Sequence, residues 1–167
     1  DSAPAATTSV EPTLNLDSQQ TVPTTYTTFP IDPTEFSATD AGSYNHSTST
    51  TVFDSLGNDF PATMYYVASD PSVNEWQVHT YVDGNPLTLN TGANPFLTMT
   101  FDSLGLFDSI AEAGVPSSGN VAFDALPMGN GAADLTLNFD YSGTTQYGGD
   151  FAVNSLSQDG FASGRLS

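Results

Sequence analysis

The sequence predicts an all-β chain, an antiparallel β-sandwich or a strongly curled barrel-like sheet, and three observations carry that prediction. Apolar and polar residues alternate with period two in several short runs. No stretch keeps a 3.6-residue apolar period for three turns. Gly, Pro, Asp and Asn punctuate the gaps between runs. Alternation sends every second side chain to one face of a sheet, so one covered face fixes each strand's orientation.

Residues 1–9 are small, polar and proline-bearing, and are expected to be flexible. Val10, Leu14 and Leu16 then recur at even positions, the pattern of a short strand with one buried face. Pro12 lies in that register and points to an edge or an irregular start, because proline cannot donate to a ladder. From Thr21 to Asp40, Pro23, Pro30 and Pro33 stand among threonines and aromatics. Their fixed φ predicts an extended connector, pinned to a neighbour by Tyr26, Phe29 and Phe36.

From Tyr44 to Phe53 one face carries Tyr44, His46, Thr48, Thr50 and Val52, and the abundant threonine favours extended backbone. Asp54-Ser55-Leu56-Gly57-Asn58 offers the carboxylate, hydroxyl, glycine and amide of a turn. Phe60, Ala62, Met64, Tyr66 and Ala68 mark the next strand. Beyond the Asp70-Pro71 turn, Trp76, Val78, Thr80 and Val82 line one face of a third strand, with Gln77, His79 and Tyr81 opposite. Asp83-Gly84 is a hairpin signal, and Leu87 and Leu89 begin the return. These strands form a meander.

Leu97, Met99 and Phe101 define another strand face, after which Phe101-Asp102-Ser103-Leu104-Gly105 repeats Phe53-Asp54-Ser55-Leu56-Gly57. A shared strand-to-turn geometry accounts for the match, which is too short to define a repeated domain. Ser109 to Ala113 suggests one helical turn, stopped by Gly114 and Pro116. Val121 and Phe123 mark a short strand, and Leu135, Leu137, Phe139 and Tyr141 the clearest late one. Ser142-Gly143 and Gly148-Gly149 bracket a connector around Tyr147, and Phe151 and Val153 suggest a short strand leaving the main domain.

The 167 residues suffice for one well-buried domain. One Lys or Arg, Arg165, stands against 19 Asp and Glu, a net charge of -18. Nucleic acid and anionic membrane surfaces are disfavoured as partners, since almost no cationic side chain is available to meet phosphate. No cysteine is present, which excludes disulfides, thiolate catalysis and cysteine-ligated metals. No apolar run approaches the roughly 18 to 20 residues that span a bilayer.

The search for chemistry yields no catalytic, cofactor-binding or metal site. Glycosidase-like carboxylate pairs are expected by chance among so many acids. His46 and His79, with Asp54 or Asp83, could be drawn together, yet no ligand spacing such as His-Glu-x-x-His is present and ordinary sheet positions explain them. No Gly-x-Ser-x-Gly elbow or phosphate loop occurs. Calcium is the least implausible ion, at the turns Asp54 to Asp59 or Asp83 to Asn85, but Asx turns account for both. Trp76 and Tyr81 are the first rings to consider as a carbohydrate platform; their odd spacing puts them on opposite faces, and core packing is the simpler role.

Taken together, Ser49-Thr50-Thr51-Val52-Phe53-Asp54-Ser55-Leu56-Gly57-Asn58, Met64-Tyr65-Tyr66-Val67, Asn74-Glu75-Trp76-Gln77-Val78 and Tyr81-Val82-Asp83-Gly84 resemble the central part of the bacterial flagellar hook proteins. Leu97-Thr98-Met99-Thr100-Phe101-Asp102-Ser103, Leu135-Thr136-Leu137-Asn138-Phe139 and, most specifically, Thr144 to Gly148 and Phe151 to Phe161 continue the resemblance. It implies an outer β domain over residues 29–145, a flexible start and a strand of the adjoining inner domain over 1–28, and a return segment toward that domain over 146–167.

The resemblance further implies a structural subunit of the hook, the flexible universal joint that passes torque from rod to filament, and no enzyme. The implied location is the flagellum, outside the cell. Implied partners are other copies of the hook protein in the tube, with the hook cap and the rod or hook-filament junction proteins; alone, the fragment is expected to be monomeric or weakly associating. A reading of a different class is an extracellular adhesin or carbohydrate-binding β-sandwich domain.

Overall fold

A computed structural model describes residues 2–91, 94–111 and 118–163. Among these, the strands are β1 (Ser9–Asn15), β2 (His46–Phe53), β3 (Asp59–Asp70), β4 (Glu75–Val82), β5 (Asn85–Pro86), β6 (Leu97–Phe101), β7 (Phe107–Ile110), β8 (Asn120–Ala122), β9 (Asn138–Asp140) and β10 (Ala152–Gln158). They form two sheets. The larger runs β2-β3-β4-β6-β7, antiparallel throughout, with β5 paired to the end of β4. The smaller runs β10-β1-β9-β8, with β1 and β9 parallel.

Isolated bridges join the two sheets at their margins. Thr145 pairs both with Asn15 at the end of β1 and with Leu106 beside β7, and Leu89 after β5 pairs with Phe123 after β8. The architecture is therefore a sandwich curled toward a barrel, as alternation predicts. Its interior holds Val52, Met64, Tyr66, Trp76, Val78, Leu97 and Met99 from one sheet and Val10, Leu14, Val121 and Phe139 from the other, all buried. Each fully buried Leu, Val or Phe contributes about 1.5–3 kcal/mol, which fixes the registers.

The segment 21–40 lies across the outer face of the larger sheet. Tyr26 and Ile31 are buried against Val67, with Val22, Phe36 and Tyr44 packed alongside. That cover is why β4 is buried on both faces, including the polar Gln77 and His79. The expected connector is thus a strap with a 3₁₀ turn at Pro33–Glu35, and another at Ala41–Ser43 follows it at once; Asp32 and Asp40 accept the backbone N–H two residues ahead. Phe29 differs from the expectation: it is 63% exposed and pins nothing.

Four further expectations are revised. Pro12 is not on an edge, since β1 lies between β10 and β9; its missing donor is tolerated because the β9 ladder ends at Val10, and a bulge follows at Thr13/Leu14. Ser109 and Ile110 are strand, not helix, because Thr100 and Met99 of β6 supply a ladder, and the Ala111 N–H donates to Thr98 O at 2.8 Å; 112–113 lie outside the described residues. The late strand is short, Asn138–Asp140, although Leu135, Leu137, Phe139 and Tyr141 are all buried. The strand after Phe151 runs Ala152–Gln158 and pairs along β1.

The first residues are tied down despite their composition. Ala5 and Phe161 exchange backbone hydrogen bonds of 3.0 and 2.9 Å, and Thr7 donates its N–H to Phe53 O at 2.9 Å. The Thr7 hydroxyl donates to Gln158, and Asp159 accepts from the N–H groups of Thr8 and Ser9 and from the Thr8 hydroxyl. Small side chains here allow two backbones to approach.

Candidate functional site

The two Phe-Asp-Ser-Leu-Gly segments fold alike. In each, the Asp N–H donates to the carbonyl four residues on, the Gly N–H donates back to the Asp carbonyl, and Asp Oδ1 accepts two N–H groups ahead. For Asp54 the Oδ1 donors are Leu56 at 2.9 Å and Asn58 at 3.0 Å; for Asp102 they are Leu104 at 2.8 Å and Leu106 at 3.0 Å. Gly57 and Gly105 sit at φ 84° and 82°, a region open to glycine that lets the strand turn back. The motif is thus a hairpin closed by aspartate, and the carboxylate leaves its second oxygen for another task.

That second oxygen distinguishes the copies. Asp54 Oδ2 accepts from Asn58 Nδ2 at 3.0 Å and from Asn130 Nδ2 at 2.9 Å, while Ser55 Oγ accepts the Ala133 N–H at 2.9 Å. The loop at 129–133 is thereby fastened over the first turn, and Asp54 has no accessible surface. Burial works to raise its pKa, but the amides of Asn130 and Asn58 and the N–H groups of Asn58 and Leu56 outweigh it and hold the carboxyl below the usual range. At Asp102 the residue matching Asn58 is Leu106, and among the described residues nothing donates to Oδ2.

The second turn borders a concavity of about 430 Å³ lined by Asn74, Asp102, Ser103, Leu104, Gln146 and Tyr147, among others. Of that lining, Leu104 and Tyr147 stand 74% and 49% exposed. Gly105 meets the chain at 145–147 so closely that a β-carbon would lie 2.8 Å from the Tyr147 ring and 2.9 Å from Gln146 O. The concavity is therefore approached closely by backbone at Gly105, and apart from Leu104 and Tyr147 its lining is polar or glycine.

The sequence-derived candidates do not converge. His46 faces the interior, stacked on Phe151 at 4.4 Å and near Trp76 at 6.0 Å; burial lowers its pKa against the opposing pull of Asp17. His79 lies on the opposite face under Phe36, ring on ring at 3.8 Å, and burial alone takes its pKa down to about 4. Asp54 is saturated by N–H donors, and Asp83 with Gly84, at φ 50° and 78°, forms the tight hairpin turn between β4 and β5. Among the described residues no group of three or more His, Asp or Glu is placed to hold a metal ion.

Trp76 and Tyr81 likewise occupy opposite faces. Trp76 is buried and donates Nε1–H to Gln146 Oε1 at 2.5 Å, whereas Tyr81 packs edge-on against Tyr65 in the cluster beneath the strap. No shared platform of these two rings exists. Sequence reasoning missed Asn130 and Gln146 as partners because each lies 70 or more positions from the group it meets. The only local signal was an amide set between glycines at 129–131.

Comparison with known proteins gives this arrangement a lineage. The family described as "Flagellar basal body protein FlaE D2 domain" matches residues 15–161. The flagellar hook protein FlgE of Escherichia coli (strain K12) is 32% identical over 165 residues, 98% of this chain and 36% of that protein. The FlgE of Salmonella typhimurium is 29% identical over 166 residues, again 98% of this chain and 36% of the relative. The chain thus spans about a third of the length of the curated relatives it matches. A 32 kDa fragment of the flagellar hook protein FlgE from Caulobacter crescentus has a similar fold, with TM-score 0.52, 16% identity, and coverage of 70% of this chain and 46% of that one. The match over 15–161 includes both aspartate turns, the loop fastened on the first and the return along β10, and on it the chain belongs to the flagellar basal body protein FlaE D2 domain family.

Proposed function

We propose that this chain is the outward β module of a flagellar hook subunit, a mechanical element of the tube and not a catalyst. The observation that carries the reading is the match of 98% of the chain to one stretch of a flagellar hook protein. The fold suits such a role. Two sheets closed on one core make a rigid body, and a joint that bends needs rigid bodies joined by polar, exchangeable contacts.

The Ala5–Phe161 bridge brings both ends of the described chain together. That is the geometry of a module set on a stem. On this reading the outer domain is 29–145 and the approach to an adjoining inner domain 1–28 and 146–167, although β1 and β10 of those stretches pair with each other and Val10 and Leu14 pack on the same core as the outer strands. Copies of the same subunit are its neighbours in the tube; the cap, rod and hook-filament junction proteins are those of the intact organelle. The module is carried on the flagellum outside the cell.

Electron microscopy of tubes assembled from the full-length protein tests this. Density of this sandwich is expected on the outer wall at the subunit repeat. A full-length protein that forms no tube, or one with this module lining the channel, overturns the reading.

A further inference from the structure

We propose that Asn130 is a modification site, deamidated by attack of the Gly131 backbone nitrogen, and that the change unlatches the loop at 127–134 from the first aspartate turn. The inference does not depend on the hook reading.

The loop is hinged at its base and held at its tip. At the base Leu126 and Leu135 exchange backbone hydrogen bonds of 2.8 Å each, and Leu135 is buried. The chain then bends through 129–132, with Asn130 between Gly129 and Gly131 at φ 70° and 89°. The Asn130 amide is held at both ends: Nδ2 donates to Asp54 Oδ2 at 2.9 Å, and Oδ1 accepts the Ala132 N–H at 3.0 Å. The Ala133 N–H on Ser55 Oγ is the neighbouring tie.

Sequence and setting supply the chemistry. A side chain on the following residue hinders attack of its nitrogen on a carboxamide, and Asn130 is the one asparagine of the chain followed by glycine. Both residues are exposed, and a β-carbon at Gly131 would meet nothing within 4 Å, so ring closure and water both have room. Gly131 N gives its proton to solvent hydroxide and bonds to Asn130 Cγ. The negative charge that develops on Oδ1 lies against the Ala132 N–H. The Cγ–Nδ2 bond then breaks, the nitrogen takes a proton from water and leaves as ammonia, and a succinimide ring remains. Water opens the ring at Cγ to give aspartate, or at the main-chain carbonyl carbon to give isoaspartate.

Either product replaces a donor by a carboxylate where Asp54 already presents one. Asp54 has no accessible surface, and the groups that donate to it keep it ionised at neutral pH. Two carboxylates set at hydrogen-bonding distance repel, so the tip lifts while the Leu126–Leu135 base stays closed. The opening is one-way, because the ammonia is lost.

The test uses the full-length protein, warmed at mildly alkaline pH and digested for mass mapping of residues 1–167. Asn130 is expected to gain the mass of an amide turned to acid about tenfold faster than Asn154, which is followed by serine and held in β10. The Asp-Gly pairs at 83–84 and 159–160 do not confuse this reading, since ring closure and reopening there change no mass. The unlatching is read by elastase cleavage after Ala132 or Ala133 in the folded protein. Cleavage is expected to run about tenfold faster in Asn130→Asp than in the parent, as the opened fraction rises. It is expected to fall back in the double variant Asp54→Asn with Asn130→Asp, which restores a carboxylate–carboxamide pair and leaves the loop sequence that elastase meets the same as in the single variant.

No conversion at Asn130, or earlier conversion of another asparagine of the region, overturns the assignment. Cleavage of Asn130→Asp at the parent's rate overturns the unlatching. So does a double variant cleaved as fast as the single one, since charge at 130 is then not what opens the loop. If Asn130→Asp fails to fold, the deamidated fraction of the unsubstituted protein, separated by its extra negative charge, is cleaved beside the undeamidated fraction and decides by the same comparison.

Discussion

Gly160 lies directly on the backbone of Thr7: a β-carbon at Gly160 would stand 2.6 Å from the Thr7 nitrogen and 2.8 Å from its Cα. The two ends of the described chain meet there, held by the Ala5–Phe161 bridge and by Asp159, whose pKa burial would raise but which the hydroxyl and N–H of Thr8 and the N–H of Ser9 bring below the usual range.

Because backbone cannot yield as a flexible side chain does, Gly160→Ala is expected to cost about 1–3 kcal/mol. Gly149→Ala, with nothing within 4 Å, is expected to stay within about 0.5 kcal/mol of the parent. Urea unfolding followed by the fluorescence of Trp76, the single tryptophan and buried, measures both. Equal stabilities would show that the ends are not tightly joined.

Asp54→Asn separates the two turns in a second way. The variant keeps one acceptor for the Leu56 and Asn58 N–H groups but sets an amide against the amides of Asn58 and Asn130. A loss of about 1.5–3 kcal/mol is expected, the worth of hydrogen bonds to a charged group, whereas Asp102→Asn in the isolated chain is expected to be nearly neutral. A double-mutant cycle of Asp54→Asn with Asn130→Ala should show coupling; strict additivity would deny the fastened loop.

The buried His79 predicts a slope of stability with pH. Its pKa is about 4 in the fold against 6.5 in the unfolded chain, so between those values the unfolded state binds the extra proton. Stability is full above pH 6.5 and falls as pH drops toward 4, by about 3 kcal/mol at most. His79→Phe, stacked under Phe36, is expected to flatten that part of the curve, read by thermal melts at stepped pH. Asp54 acts lower: its depressed pKa contributes stability above the ordinary carboxylate value, which is lost as pH falls through the folded value.

Association of the chain is expected to strengthen from low to moderate salt. At a net charge of -18, copies repel one another, and the Debye length shrinks from about 30 Å at 0.01 M to about 8 Å at 0.15 M. Sedimentation equilibrium across that range measures it. Association that is unchanged or weaker at the higher salt would count against charge as the controlling force.

Much of the fold could be read from particular residues. The alternating apolar sets at 60–68, 76–82 and 97–101 face the core as period two requires, and Asp83-Gly84 turns the chain where it must. The repeated Phe-Asp-Ser-Leu-Gly reads as a strand ending in a turn and is one, twice. The expectation for Ser109 to Ala113 failed at Ser109 and Ile110 because local propensity was weighed without β6, whose ladder overrides it. Phe29 failed for the opposite reason: an aromatic was expected to pack, but the surface its neighbours Tyr26, Ile31 and Phe36 cover was already taken.

By itself the sequence determined that the chain is β-rich, where its turns fall, which faces are apolar and that ion pairing cannot hold it together, because those properties depend on neighbours a few positions apart and on composition. Only the tertiary structure decided that β1 and β9 run parallel, that Thr145 stitches two sheets, that Asn130 covers one aspartate turn while its twin stays bare, and that His79 is sealed beneath Phe36. Those are contacts between groups 39 to 130 residues apart, and they are set by how whole faces fit in space, which no local pattern encodes.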